Sequence, residues 1–262
     1  VGRGLRIGHS VEALSGLLFP SNAATEAEGT VAFHFTGAAL LPAFPATYIW
    51  RARHDYQASY YTTFFWGPSG SFTGAGYYGP HPYPDGGPGG LTHKWEISVE
   101  GDDYVTGDGG VSTVVDPYGV FRDQAFIATA TGSVLHTKFY FDLSDTSKSL
   151  TRSTNPTYAD GFAAVTDPAL TFGDAPWAPG NETLNGVLRG LQVYSGELSI
   201  EHILALRQLT SSSAVRAYCA ANGITSLHYV NLNPTPDDIS DKSGNGNHPA
   251  WVNANRPTLW TP

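Results

Sequence analysis

Residues 167–203 read DPALTFGDAPWAPGNETLNGVLRGLQVYSGELSIEHI, and the fold is decided on how this stretch is read. "PALTFG" (168–173) is a short apolar run closed by a glycine. "GVLRGLQVYSG" (186–196) is a longer one bracketed by glycines. Both predict strands. Between them proline and glycine recur too often for any regular period, so the connection is a loop. Ser199 then stands directly before "IEHILALRQL", where Ile200, Ile203, Leu204 and Leu206 supply an apolar face. That pattern predicts a helix capped by Ser199.

Working outward, "EGTVAFHFTG" (28–37) alternates Val31, Phe33 and Phe35 with Ala32 and His34 between two glycines, the period of a strand. "ATYIWRARHDY" (46–56), "SYYTTFFWG" (59–67), "KWEISVE" (94–100), "FRDQAFIATA" (121–130) and "HTKFYFDL" (136–143) read the same way. Residues 67–92 carry glycine and proline at a density that predicts mostly loop. The lack of strand-then-helix alternation argues against a parallel α/β sheet, and the expected fold is all-β, a two-sheet antiparallel sandwich. A second short helix is expected over "AVRAYCAAN" (214–222), capped by Ser213 and closed by Gly223, with Val215, Tyr218 and Cys219 on one face. The expected organisation is a sandwich over residues 1–210 and a small C-terminal extension over 211–262, either packed on the sandwich or leading to another module.

Composition narrows the function classes. The 262 residues hold 14 Lys and Arg against 23 Asp and Glu, a net charge of -9. That balance argues against a protein that tracks nucleic-acid phosphates or an anionic lipid surface. No apolar run reaches membrane-spanning length. Cys219 is the single cysteine, so no internal disulfide forms, and its place on an apolar helix face predicts a buried side chain. Methionine is absent even at position 1, as expected of a processed form or a fragment. Thirty glycines, 18 prolines and 20 Tyr plus Trp fit an extracellular or particle-surface β-domain.

The 167–203 stretch resembles the closing part of laminin-G-like, concanavalin-A-like domains. In that family a glycine-ended strand is followed by a variable loop, a strand of the form G-x-(I/V/L)-x-x-(V/L)-x-(V/I)-Y, a turn, and an LS-x-E-x-I element. Here these are Leu170–Gly173, Gly186–Tyr194 and Leu198–Ile203, the last one spacer short. "SGNGN" (243–247), with Asp241 before it and His248 after it, resembles a turn of the same superfamily, though at the far end of the chain. The resemblance covers about residues 25–205 and implies a jelly-roll. Relatives bind glycans or proteins, build adhesins and virion appendages, or cleave polysaccharides, and fold alone does not choose among these.

Three catalytic or binding arrangements are open. "EISVE" (96–100) resembles the E-x-D-x-E strand of laminarinase-like hydrolases, with Glu96 as nucleophile and Glu100 as acid/base, but Ser98 replaces the middle aspartate. Plain strand alternation yields the same spacing and separates the two carboxylates by about 13 Å, against roughly 5 Å for a retaining pair. A polysaccharide lyase would need a base and a carboxylate-neutralising group, and "RARHDYQASYY" (51–61) offers them in His54 and Tyr56, with Arg122 joining from another strand. Binding without catalysis is the preferred reading. Residues 48–104 hold 11 of the 20 Tyr and Trp, and flat rings pack on the C–H faces of sugars. Trp66, Tyr77, Tyr78, His81, Tyr83 and His93 are the candidate glycan-binding residues, while Trp95 is assigned to the core.

The loop "GDDYVTGDGG" (101–110) offers Asp102, Asp103 and Asp108 to a calcium ion, with Asp116 and Asp174 as further donors. A hydrated cluster of turn aspartates is the plainer account of the same residues. "NET" (181–183) fits a glycosylation acceptor. The expected partner is a polysaccharide or glycan, with a homo-oligomer or a larger structural or adhesive surface assembly as the alternative setting.

Overall fold

A computed structural model of the chain describes residues 15–21, 31–36, 45–58, 61–68, 77–80, 83–84, 91–92, 95–99, 102–106, 117–131, 134–141, 143, 147–153, 168–175, 180–232 and 238–260. One sheet runs, in spatial order, β12 (Ser147–Ser153), β11 (Val134–Phe141), β10 (Phe121–Thr131), β3 (Ala46–His54), β14 (Gly186–Ser195), β1 (Gly16–Phe19) and β17 (Thr258–Trp260). β15 (Thr225–Asn231) also pairs with β14. The second sheet runs β16 (Ala250–Trp251), β2 (Phe33–Thr36), β13 (Pro168–Phe172), β4 (Phe64–Pro68), β5 (Tyr77–Pro80), β8 (Trp95–Val99) and β9 (Asp102–Thr106). β6 (Tyr83–Pro84) and β7 (Leu91–Thr92) form a separate small ribbon. Every pairing among the described residues is antiparallel. The fold is the all-β, two-sheet antiparallel sandwich that the sequence predicts, concanavalin-A-like in type.

Alternation decides what each strand buries. Along β3, Tyr48, Trp50 and Ala52 face the second sheet, where Tyr48 and Trp50 meet Phe64 of β4, itself against Phe172 of β13. Phe172 in turn stacks on Phe33 of β2 at 4.6 Å between centroids. The opposite face of β3 presents Ile49, which joins Ala125 and Ile127 of β10 in a second apolar cluster. Two helices cover that outer face, α1 (Ile200–Gln208) and α2 (Ser212–Asn222), which bury Ile203, Leu206, Val215 and Cys219 against it. Each helix thus closes one exposed apolar stripe of a sheet that already has its own core behind it.

Helix ends follow local chemistry. Ser199 caps α1 by accepting from the His202 N–H, as the sequence predicts. The cap of α2 is Ser211, not Ser213: the Ser211 hydroxyl accepts from the Ala214 N–H, and the helix begins at Ser212, two residues ahead of the predicted start. Gly223 closes α2 at φ 66°. Leu204 lies largely exposed rather than on the apolar face. Among the described residues no helix is long and apolar enough to cross a membrane.

The C-terminal segment contributes strands to both sheets. β15 pairs with β14, β17 with β1, and β16 with β2. The "SGNGN" turn fastens β15 from outside. Asp241 accepts from the Tyr229 and Ser243 N–H groups, and the Asn245 amide donates to the Ser226 and Leu227 carbonyls at 2.9 Å each. Ser226 and Leu227 lie at the β-bulge where β15 loses register with β14, so Asn245 satisfies carbonyls the bulge takes out of the ladder.

Candidate functional site

At the end of the sandwich where β3 finishes, parts of three connections meet: residues 55–58 and 61–63 after β3, the turn at 117–120 before β10, and 173–175 with 180–185 between β13 and β14. They are joined by backbone hydrogen bonds. The Gly119 N–H donates to the His54 carbonyl, Asp55 N–H to Asn185, and Thr62 N–H to Glu182, all at 2.8–2.9 Å. Asn185 adopts φ 39°, a left-handed conformation that asparagine tolerates better than most residues. From there its amide donates to the carbonyls of Asp55 (3.1 Å) and Tyr56 (2.8 Å). The Tyr61 hydroxyl accepts from the Gln57 N–H at 2.7 Å and donates to the Asp55 carbonyl at 2.9 Å. Burial pushes the Tyr61 phenol well above its usual range, so it serves as a neutral donor and acceptor.

This network holds an aromatic edge in the open. Tyr56 is 49% exposed and meets Tyr118 edge-to-face at 5.3 Å between centroids. Beside them Asp55 accepts from Arg53 at 2.7 Å, and Asn181 is exposed on the adjoining loop. Flat rings flanked by a carboxylate, a guanidinium and an amide are the groups a sugar needs for its C–H faces and hydroxyls. Tyr118 escapes a sequence reading because residues 117–120 carry no pattern of their own. Only the hydrogen bond from Gly119 to the end of β3 brings it beside Tyr56.

The predicted site residues scatter. Trp66 is 1% exposed, in the core between the sheets, so it belongs to no binding surface, and its alternation with Phe64 on β4 is the reason. His54 is 4% exposed, facing inward at the end of β3, with Nε2 3.2 Å from the Thr63 hydroxyl and its ring edge-on to Tyr61. In that position it offers no ring to a substrate. Arg122 faces the same way on β10, opposite Ala52, whereas Tyr56 lies beyond the strand end, so the three lyase candidates do not form one open cluster. Tyr77 and Tyr78 fall on β5 and Tyr83 on β6, in a region expected to be mostly loop. Tyr77 pairs with Ser98, Tyr78 with Ile97, Pro80 with Trp95, and Tyr83 with Thr92.

Glu96 lies on β8, paired with Val105, and Glu100, His81, His93, Asp108 and Asp116 lie outside the described residues. Asp102 and Asp103 belong to β9, paired with Val99 and Ser98, not to a loop. Asp174 is fully buried and accepts from the Ala175 and Gly180 N–H groups, shaping the connection to β14. Among the described residues no group of three or more His, Cys, Asp or Glu is placed to hold a metal ion.

No protein-family model matches the sequence, and no curated protein matches it. Solved structures similar to the chain include a heptameric SAP-like pentraxin from Limulus polyphemus (15% identity, 72% of this chain and 79% of that one, TM-score 0.49). Another is the full-length tailspike protein 2 of an Escherichia coli O157:H7 bacteriophage (13% identity, 84% of this chain, TM-score 0.49), of whose length the match takes in 28%. A third is the CBM40 of the Ruminococcus gnavus IT-sialidase with α2,3 sialyllactose (11% identity, 75% of this chain and 95% of that one, TM-score 0.43).

Proposed function

We propose that the protein binds a polysaccharide or glycan without cleaving it, outside the cytoplasm or on a particle surface. The observation that carries this reading is the exposed Tyr56 ring set edge-to-face on the half-buried Tyr118, beside Asp55 and Arg53 and held by the Asn185 and Tyr61 network. Fixing the loop backbone in advance lowers the ordering cost of binding, so a few ring contacts suffice. Tyr77, Tyr78, His81, Tyr83 and His93 extend the proposed binding face, with calcium at Asp102, Asp103 and Asp108 as an accessory to it.

The test is retention on immobilised neutral and acidic polysaccharides, with and without a chelator, while reducing ends and unsaturated products are followed in solution. Retention without product is expected. Tyr56→Ala and Tyr118→Ala should each weaken it several-fold, the size of about 1 kcal/mol of aromatic contact. New reducing ends would replace the binding reading with an enzymatic one. Absence of both retention and product would move the assignment to assembly with a protein partner.

A further inference from the structure

On the outer face of the larger sheet, a pocket of about 110 Å³ opens between β3, β14, β15 and the C-terminal end of α1. Arg51 of β3, Arg189 and Gln192 of β14, Asn231 of β15, and Arg207 and Thr210 at the helix end line it. Arg189 is 6% exposed. Its Nε donates to the Ser15 carbonyl at 3.1 Å, but its Nη1 is buried with no hydrogen-bond partner among the described residues. A buried guanidinium with an unspent donor is costly unless a counter-group arrives.

The chain reaches this arrangement through a departure from strand alternation. Leu188 and Leu191 both point into the core although three residues apart, because β14 shifts register against β3 between Leu188 and Gly190. The inserted residue is Arg189, and the bulge turns it to the outer face, as bulges beside functional sites do. Gly190 follows because a Cβ there would lie 2.6 Å from the Val230 carbonyl oxygen.

Charge accounting points the same way. The chain as a whole is at -9, yet three guanidiniums line this pocket; among the described residues, Asp123 of β10 pairs with Arg51 (3.7 Å) and with Arg207, and no carboxylate is paired with Arg189. The neighbouring Arg53 is already paired with Asp55. Arg51, Arg53 and Arg189 all lie over the Phe121 ring, at 5.2–5.7 Å, which fixes their planes without neutralising them. Burial, and then the charges of Arg51 and Arg207, bring the Arg189 guanidinium down to about 10, still protonated at neutral pH.

We propose that this pocket is an oxyanion site, in which Arg51, Arg189 and Arg207 receive one carboxylate or sulfate group of a ligand and Asn231 and Thr210 flank it. Guanidinium forks match the geometry of both groups. None of Arg53, Asp55, Tyr56 and Tyr118 lines this pocket, and the inference does not depend on glycan binding at the Tyr56–Tyr118 edge.

The experiment is thermal unfolding of the full chain titrated with sodium sulfate and with sodium glucuronate, against sodium chloride at matched ionic strength and against neutral glucose. A saturable rise in Tm with sulfate, glucuronate or both is expected, with none from glucose. A response to sulfate alone assigns the site to sulfate-bearing ligands, and one to glucuronate assigns it to the carboxylate of an acidic sugar. Arg207→Gln and Arg51→Gln, both on part-exposed side chains, should each raise the half-saturating concentration about tenfold, the cost of one charge-assisted hydrogen bond. Tyr56→Ala should leave it unchanged, so that failure of the glycan reading and failure of this one are told apart. A Tm that only follows ionic strength, or a saturable response untouched by both arginine substitutions, overturns the proposal.

Discussion

Asn185 shows how one residue sets the candidate site. Its left-handed backbone and two amide donations hold the Asp55 and Tyr56 carbonyls, and so fix where the Tyr56 ring stands. Asn185→Ala removes both bonds and places an alanine in a conformation it resists. It should cost about 1–2 kcal/mol in denaturant unfolding and weaken glycan retention with the Tyr56 ring still present. Asp238 supplies the clearest pH signal. Hydrogen bonds from Lys242 and then Ser240 bring its carboxyl from 3.8 down to about 2. Its folded-state value is depressed, so the stability it contributes is complete above 3.8 and is lost as pH falls towards about 2. The carboxylate is 43% exposed, so solvent screens the pair and the effect is small. Asp238→Asn should flatten the acid limb of the stability profile between those two pH values and lower stability at neutral pH by the same small amount, so that the two proteins converge as pH falls towards about 2.

At the scale of elements, residues 238–260 tie β15, β1 and β2 together. Asp241 is buried and accepts from two backbone N–H groups, one on β15 and one in its own turn. Asp241→Ala strands the Tyr229 donor in a buried ladder and should lower stability by about 1–3 kcal/mol in urea. Amide exchange in β15 should accelerate more than in β3. The same scale shows why some strands were legible and others not. β2, β3 and β4 announce themselves because their inward residues include Phe, Tyr and Trp in alternation. β12, "SKSLTRS", reads as part of a polar connection, and β16 and β17 are two and three residues long. Such segments become strands only because a neighbouring edge offers unpaired N–H and C=O groups. The bulge in β14 was written in the spacing of Leu188 and Leu191, but only the register against β3 shows which residue is extruded.

For the molecule as a whole, the inter-sheet core and the helix-covered outer face share β3, β10 and β14, so they should unfold together. Phe172 touches Phe33, Phe35 and Phe64 from the second sheet's middle, and Phe172→Ala should cost about 3–5 kcal/mol. Cys219 reports on the other cluster: it is buried beneath α2, and burial holds its thiol above the usual range. In wild type and Phe172→Ala alike, Cys219 should react with a thiol reagent only within the same denaturant transition that tryptophan fluorescence follows. A thiol exposed at lower denaturant would mean the helices detach as a separate unit.

The order of apolar residues by itself determined the antiparallel sandwich, the cap of α1 and the close of α2, and the burial of Cys219, because each depends on a period or a cap within a few residues. It also placed His54 and Trp66 among candidate surfaces where alternation buries them. Tertiary structure alone decided that Tyr118 stands beside Tyr56 and that Arg51, Arg189 and Arg207 converge. Those groups lie far apart along the chain, and they meet because hydrogen-bonded registers between strands, which no local pattern encodes, fix which residues of distant segments become neighbours.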